Sequence, residues 1–307
     1  MIKPQTILVA VLVLLVIQWG SHLATPDEIA ADEATAIAAH PEPTITPVVQ
    51  ALPPTVTPTP EPTATPDPTP TMEPTVAPTE APVVTERPAP PNTGEERSVI
   101  VERGTSGRTE VAFTFDAGEG AGHTAEILDL LAEYGVVATF GVTGEWAEQN
   151  PELMRRIVDE GHMLINHTYD HQSYTGVSTG TGPMNPAAFR EQVERTEAII
   201  AETTDGYQSL PYFRFPYGDY DAEALDVLGE LGYAYTMWWS CDSLGWLDYS
   251  PAEIIERCGT GSEFGGPGAI ILMHVANDND WEALEPLLIH YLDAGYDLVT
   301  LEQLIQP

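Results

Sequence analysis

Val111-Ala112-Phe113-Thr114-Phe115-Asp116 is an apolar-rich run that ends in an acid, and residues 111–115 read as a strand. The same design recurs downstream. Residues 162–165 lead straight into Asn166-His167-Thr168-Tyr169-Asp170-His171, and residues 210–213 into Arg214-Phe215-Pro216-Tyr217-Gly218. The aromatic run 235–239 precedes Asp242-Ser243-Leu244-Gly245-Trp246, and Ala269-Ile270-Ile271-Leu272 precedes Met273-His274. Each apolar segment ends in a residue type that does chemistry, which is where parallel α/β barrels place their active sites.

Helical patterns fill the intervals. Thr124 stands as a cap before residues 125–134, where Ile127, Leu128, Leu130 and Leu131 keep helical spacing and Gly135 stops the run. Residues 136–142 read as the next strand, and Asn150-Pro151 opens a helix with Leu153, Met154, Ile157 and Val158 on one face. Residues 186–202, 221–231, 251–257 and 281–294 repeat the helical half. Strands alternating with helices of this length imply parallel βαβ units.

Two histidines four apart turn their rings to one side of a helical turn or a tight loop. Imidazole is a common metal ligand, although histidine also serves as an ordinary polar group. A catalytic zinc takes about three protein ligands and keeps one position open. An acid at a nearby strand end is suited to deprotonate the attacking water.

Taken in order, these segments resemble the motifs of the polysaccharide deacetylase (NodB-homology) family of carbohydrate esterases: T-F-D-D-G, H-[S/T]-x-x-H, R-x-P-Y-G, D-x-x-D-W and L-x-H. The second, third and fifth match fully and the first and fourth in part, over residues 111–305. The resemblance implies a distorted, incomplete (β/α)7-type barrel of the α/β class. It implies His167 and His171 as ligands of a divalent metal, zinc, cobalt or another borderline ion. Asp116 would be the general base, and Arg214 would pair with it and depress its pKa. The Tyr217 backbone N–H would donate to the oxyanion. His274 would be the general acid, with Trp246 and Leu272 walling a pocket for the acetyl methyl group.

Two positions depart from the pattern. Ala117 stands where the family has its third metal ligand, so Asp116 or Glu119 with waters would complete the shell. Gly245 stands where an acid precedes the motif-four tryptophan, leaving Asp242 as a partial substitute. His123, His162 and His290 fall outside every motif and read as structural or surface residues.

The remainder of the 307 residues sets the context. Ile7 to Trp19 is nearly all apolar, follows Lys3 and precedes acids from Asp27, which marks residues 1–25 as a secretory signal or an uncleaved membrane anchor. His22 at minus three from Ala24 makes a poor cleavage site and favours the anchor. Residues 26–97 form a linker whose Pro-Thr-Glu tract, from about His40 to Pro91, cannot bury a core, and at ~3.1 Å per residue its roughly fifty residues reach on the order of 150 Å. Residues 98–307 would then be the catalytic domain, working on the extracellular side of a membrane or secreted. With 47 acids against 11 lysines and arginines, no basic patch is available for nucleic acid. Cys241 and Cys258 suit a disulfide in that compartment. The expected partner is an acetylated polysaccharide, cell-wall peptidoglycan or a chitin-like glycan, losing its N-acetyl groups. An O-acetyl esterase and a catalytically silent glycan-binding relative are the alternatives, and oligomeric state is not legible.

Overall fold

The computed structural model describes residues 97–104 and 108–306. The expected anchor and all but the last residue of the expected linker lie outside them. Among the described residues no helix is long and apolar enough to cross a membrane.

The chain runs β1 (Val99–Val101), β2 (Glu110–Ala117), α1 (Thr124–Tyr134), β3 (Thr139–Val142), α2 (Gly144–Gln149), α3 (Pro151–Asp159) and β4 (Met163–Asn166). It continues through α4 (Pro186–Thr203), β5 (Tyr212–Phe213), α5 (Ala222–Glu230), β6 (Tyr235–Met237), β7 (Cys241–Asp242) and α6 (Pro251–Cys258). Last come β8 (Ile270–His274), α7 (Asp278–Asp293), β9 (Asp297–Leu298) and α8 (Leu301–Ile305). Every pairing is parallel, in the order β1-β6-β5-β4-β3-β2-β8-β7, with β9 beside the start of β2. The sheet curls into a half-barrel with β1 and β7 at its edges. Parallel neighbours need crossover connections, and the helices supply them.

Alternation along β2 divides its work. Val111, Phe113, Phe115 and Ala117 join the main apolar core with Ile127, Leu128 and Leu131 of α1 and Leu284, Leu287 and Leu288 of α7. Thr114 and Asp116 take the opposite side, where polar groups gather. Register then aligns the chemistry: Asp116 sits opposite His274 of β8 on one side and Gly141 of β3 on the other. A Cβ at Gly141 would lie 2.6 Å from Asp116 Oδ1, so glycine is what leaves room for the carboxylate.

Several boundaries differ from the sequence expectation. The strand expected from 136 begins at Thr139, because the Val136 N–H donates to the Leu131 carbonyl and closes α1 behind Gly135, which adopts φ 62°. His123 rather than Thr124 occupies the N-cap of α1; the Thr124 hydroxyl donates back to Ala121. Helix α2 was not expected, since it is six residues long and opens on glycine; the Thr143 hydroxyl accepts the Trp146 N–H and caps it. Strands β1, β7 and β9 and helix α8 are equally short and carry little periodicity.

Cys241 and Cys258 form a disulfide joining β7 to the end of α6, and both are fully buried. The bond closes a loop of 17 residues, which corresponds to roughly 3 kcal/mol of unfolded-state restriction. Reduction is therefore expected to lower the thermal midpoint by about 5 °C or more, read by circular dichroism with and without reductant.

His162 is buried, and its Nδ1 accepts the Ala138 N–H, a geometry only the neutral ring allows. Burial, and then the positive charge of Arg156, push its pKa from 6.5 to about 4. The unfolded chain thus binds the proton first as pH falls. Stability is full above the unfolded value and declines between pH 6.5 and about 4, by about 3 kcal/mol in all. Urea denaturation at pH 7 and pH 4.5 measures this loss, and His162→Asn should flatten that part of the slope.

Candidate active site

Arg214 follows β5, is fully buried, and uses every arm of its guanidinium. Nε donates to the Met237 carbonyl (3.0 Å), Nη2 to the Trp238 carbonyl (3.3 Å), and Nη1 to Thr114 Oγ1 (2.9 Å) and Asp116 Oδ1 (2.8 Å). Burial alone would raise the Asp116 pKa. The charge and hydrogen bond of Arg214, joined by His167 and His274 when they are protonated, outweigh it and hold the carboxyl below the usual range. Asp116 is accordingly an oriented carboxylate with one oxygen, Oδ2, turned toward the histidines.

His167 Nδ1 donates to the Arg214 carbonyl at 2.9 Å, because a carbonyl can only accept. That fixes the tautomer and leaves Nε2 with its lone pair outward, 3.1 Å from His171 Nε2 and 3.4 Å from Asp116 Oδ2. Burial depresses both imidazoles, His171 to about 3 with help from His167, so both rings are neutral at ordinary pH. The sequence left a helical turn or a tight loop open for the pair; the structure has a loop, with φ 65° at Thr168 and 60° at His171. Gln192 of α4 holds it, accepting the Tyr169 and Asp170 N–H groups at 2.9 and 3.1 Å. Asn166 anchors its root through Val193 and Tyr233. Neither support belongs to a pattern visible in the sequence.

Ligands about 2.05 Å from a tetrahedral cation lie ~3.3 Å apart, so the two Nε2 atoms fit two corners of a metal shell. The His167 Nδ1–H bond to a carbonyl is the support that metal-ligating histidines ordinarily have. The third corner is less well furnished. Ala117 is fully buried in the apolar core with Phe113 and Phe115, and exposed Glu119 lies at the rim. Among the described residues no three histidine, cysteine or acidic side chains form a complete shell.

A cleft of about 250 Å³ opens over these groups, lined by Asp116, Glu119, His171, Tyr217, Trp246 and His274. Tyr217 has φ 59°, is exposed, and sets its ring edge-on to His171 at 4.7 Å. Trp246 is exposed at the other rim, its Nε1 donating to Asp242 Oδ1 at 3.3 Å. Leu272 is buried two residues before His274, on the same side of β8. Asp242 Oδ1 also accepts the Leu244 N–H at 2.9 Å, so this carboxylate braces its own loop. The acid nearest His274 is instead Asp280 of α7, whose Oδ2 lies 3.4 Å from His274 Nδ1. Asp280 sits at the start of a helix and belongs to no motif, so only its place in space gives it away. His123 pairs with Asp278 and stacks on Trp281, and His290 contacts Thr260; with His162 they stand apart from the cleft lining.

The fold and site define a parallel α/β half-barrel with a carboxylate–arginine pair and two facing imidazoles at the strand ends. The model of the polysaccharide deacetylase family matches residues 103–236. The peptidoglycan-N-acetylglucosamine deacetylase of Bacillus cereus is 32% identical over 215 residues, 69% of this chain and 74% of that one. The peptidoglycan-N-acetylmuramic acid deacetylase PdaA of Bacillus subtilis is 27% identical, over 70% of this chain and 81% of its own. A CE4 family pseudoenzyme from Bacillus anthracis superposes with a TM-score of 0.60 at 25% identity, over 68% of this chain and 69% of that one. A mutant of that pseudoenzyme with restored enzymatic activity superposes at 0.59 and 26% identity, over 68% and 71% of the two chains. The chain belongs to the polysaccharide deacetylase family.

Proposed function

We propose that this protein removes N-acetyl groups from amino-sugar polymers, with cell-wall peptidoglycan as the substrate. The observation that carries the reading is the alignment of Asp116 with His274 across β2 and β8, beside the paired imidazoles of His167 and His171. Amide hydrolysis needs a base for water, a donor for the oxyanion and an acid for the departing amine. Asp116, oriented by Arg214, takes the proton of the attacking water. The Tyr217 N–H faces the oxyanion, and His274 delivers a proton to the amine nitrogen. Trp246 and Leu272 bound the space for the acetyl methyl. A divalent cation held by His167 and His171 would polarise the carbonyl and acidify the water.

The N-terminal apolar segment and the Pro/Thr-rich stretch support residues 98–307 as a catalytic domain displayed outside the membrane or secreted. Ala117 favours a second reading, a glycan-binding relative without activity, because the position lacks a donor atom.

Acetate release by the full chain from N-acetylglucosamine oligomers and from peptidoglycan tests both. The assay is run after chelation and after adding zinc or cobalt, with His167→Ala as control. Release that metal restores and the variant lacks supports the hydrolase. Glycan binding without release on any acetylated polymer leaves the silent relative.

A further inference from the structure

The part of the cleft left unexplained is the support of His274. Its ring Nδ1 is buried without a hydrogen-bond partner, and so is Asp280 Oδ1. These two groups are neighbours: Asp280 Oδ2 lies 3.4 Å from Nδ1 and accepts the His274 backbone N–H at 2.8 Å. A buried carboxylate with an unused oxygen is costly unless a cation or donor completes it. The other carboxylates facing His274 come from different elements, Asp116 on β2 and Asp242 on β7. The first is held by Arg214 and the second by Leu244 and Trp246.

We propose that Asp280 is the positioning residue of His274: its carboxylate keeps the ring proton on Nδ1 and turns Nε2 into the cleft. This rests on the deacetylase reading for its role in turnover, and on geometry alone for the contact. During the reaction the Nε2 proton passes to the amine nitrogen as the carbon–nitrogen bond breaks. The ring is left neutral with Nδ1–H still toward Asp280.

Two further observations set Asp280 apart from an ordinary acid at a helix start. The N-cap of α7 is already filled, since Asn277 accepts the Asp280 N–H through its side chain at 2.9 Å. The Asp280 carboxylate is therefore free of that task. Secondly, a Cβ on Gly245 would lie 2.5 Å from Asp280 Oδ1 and 2.6 Å from Asn277 Oδ1. Gly245 does not have positive φ, so its backbone conformation does not call for glycine. What calls for it is the acid reaching in from α7. Residue 245 and residue 280 compete for one volume, and here the helix provides the carboxylate. Burial lowers the His274 pKa, and Asp280, Asp116 and Asp242 together reverse that effect and raise it, which keeps a proton available to give.

The first test needs no turnover. In nitrogen-15 spectra of the full chain, with His274 assigned by His274→Gln, the neutral ring is expected to carry its proton on Nδ1. In Asp280→Ala the proton should move to Nε2. A parent ring already protonated on Nε2, or a spectrum unmoved by Asp280→Ala, overturns the proposal.

The second test is kinetic. On N-acetylglucosamine oligomers Asp280→Ala should lower kcat by about 10- to 100-fold with KM nearly constant, a fraction of what a general acid contributes. Asp280→Ala/Gly245→Asp should regain most of that loss by supplying the carboxylate from the other element. Unchanged kcat in Asp280→Ala also overturns the proposal. Should that variant fail to fold, Asp280→Asn keeps the shape and must still lose at least about tenfold in kcat. If the parent releases no acetate, the deacetylase reading fails and the parent spectrum alone decides the contact.

Discussion

Replacing Arg214 with leucine should cost the domain about 3–5 kcal/mol, the range for breaking a buried ion pair from one side. The guanidinium is fully buried, and Asp116 is only 8% exposed. Leucine would leave the carboxylate without its partner and free the Met237 and Trp238 carbonyls and the Thr114 hydroxyl of theirs. Asp116 gains a proton more readily in the variant. In the parent its folded pKa is depressed, so its contribution is present above the unfolded carboxyl pKa and is lost as pH falls through the folded value. The variant should therefore be nearer the parent in stability at low pH than at pH 7. Equilibrium urea unfolding at both pH values measures this. Adding Asp116→Asn should recover part of the loss, because the stranded charge goes with it. A single-variant loss under about 1 kcal/mol would show that the pair does not hold these strand ends together.

Asp116→Asn alone should reduce acetate release by about a thousandfold, the middle of the range for a general base, while glycan retention stays near that of the parent. The amide keeps the shape and can still accept from Arg214, but it cannot take a proton from water. The informative comparison is kcat against binding to insoluble peptidoglycan. Equal loss of both would point to a collapsed cleft. Loss of turnover alone assigns the base.

Much of this arrangement was legible because strands advertise their ends. The run from Val111 to Asp116 and the run into His274 both announce an apolar strand closing on a functional group, and the parallel register then brings their ends together. Helices with a clean apolar face, such as α1 and α4, were equally readable. Less visible were elements fixed by tertiary contacts. Strands β5, β7 and β9 have two residues each, too few to show a period of two. Helix α7 was expected from Trp281, yet its Asn277 cap starts it at Asp278, and that earlier start is what puts Asp280 beneath His274. Sequence also named Asp242 as the spare acid near the histidine. The structure commits that side chain to Leu244 and Trp246, a choice decided by loop shape and not by residue type.

Arg214 lies 100 positions from Thr114 and 98 from Asp116 in the chain, and its bonds tie them to β6 and to the histidine loop. No fragment that lacks either the start or the end of residues 114–238 can reproduce that arrangement, and contacts so distant in sequence form only after their loops have closed. A partly assembled chain thus holds the right residues without the Arg214–Asp116 contact in place. Turnover per molecule, measured during refolding, would count finished domains and ignore compact but unfinished ones.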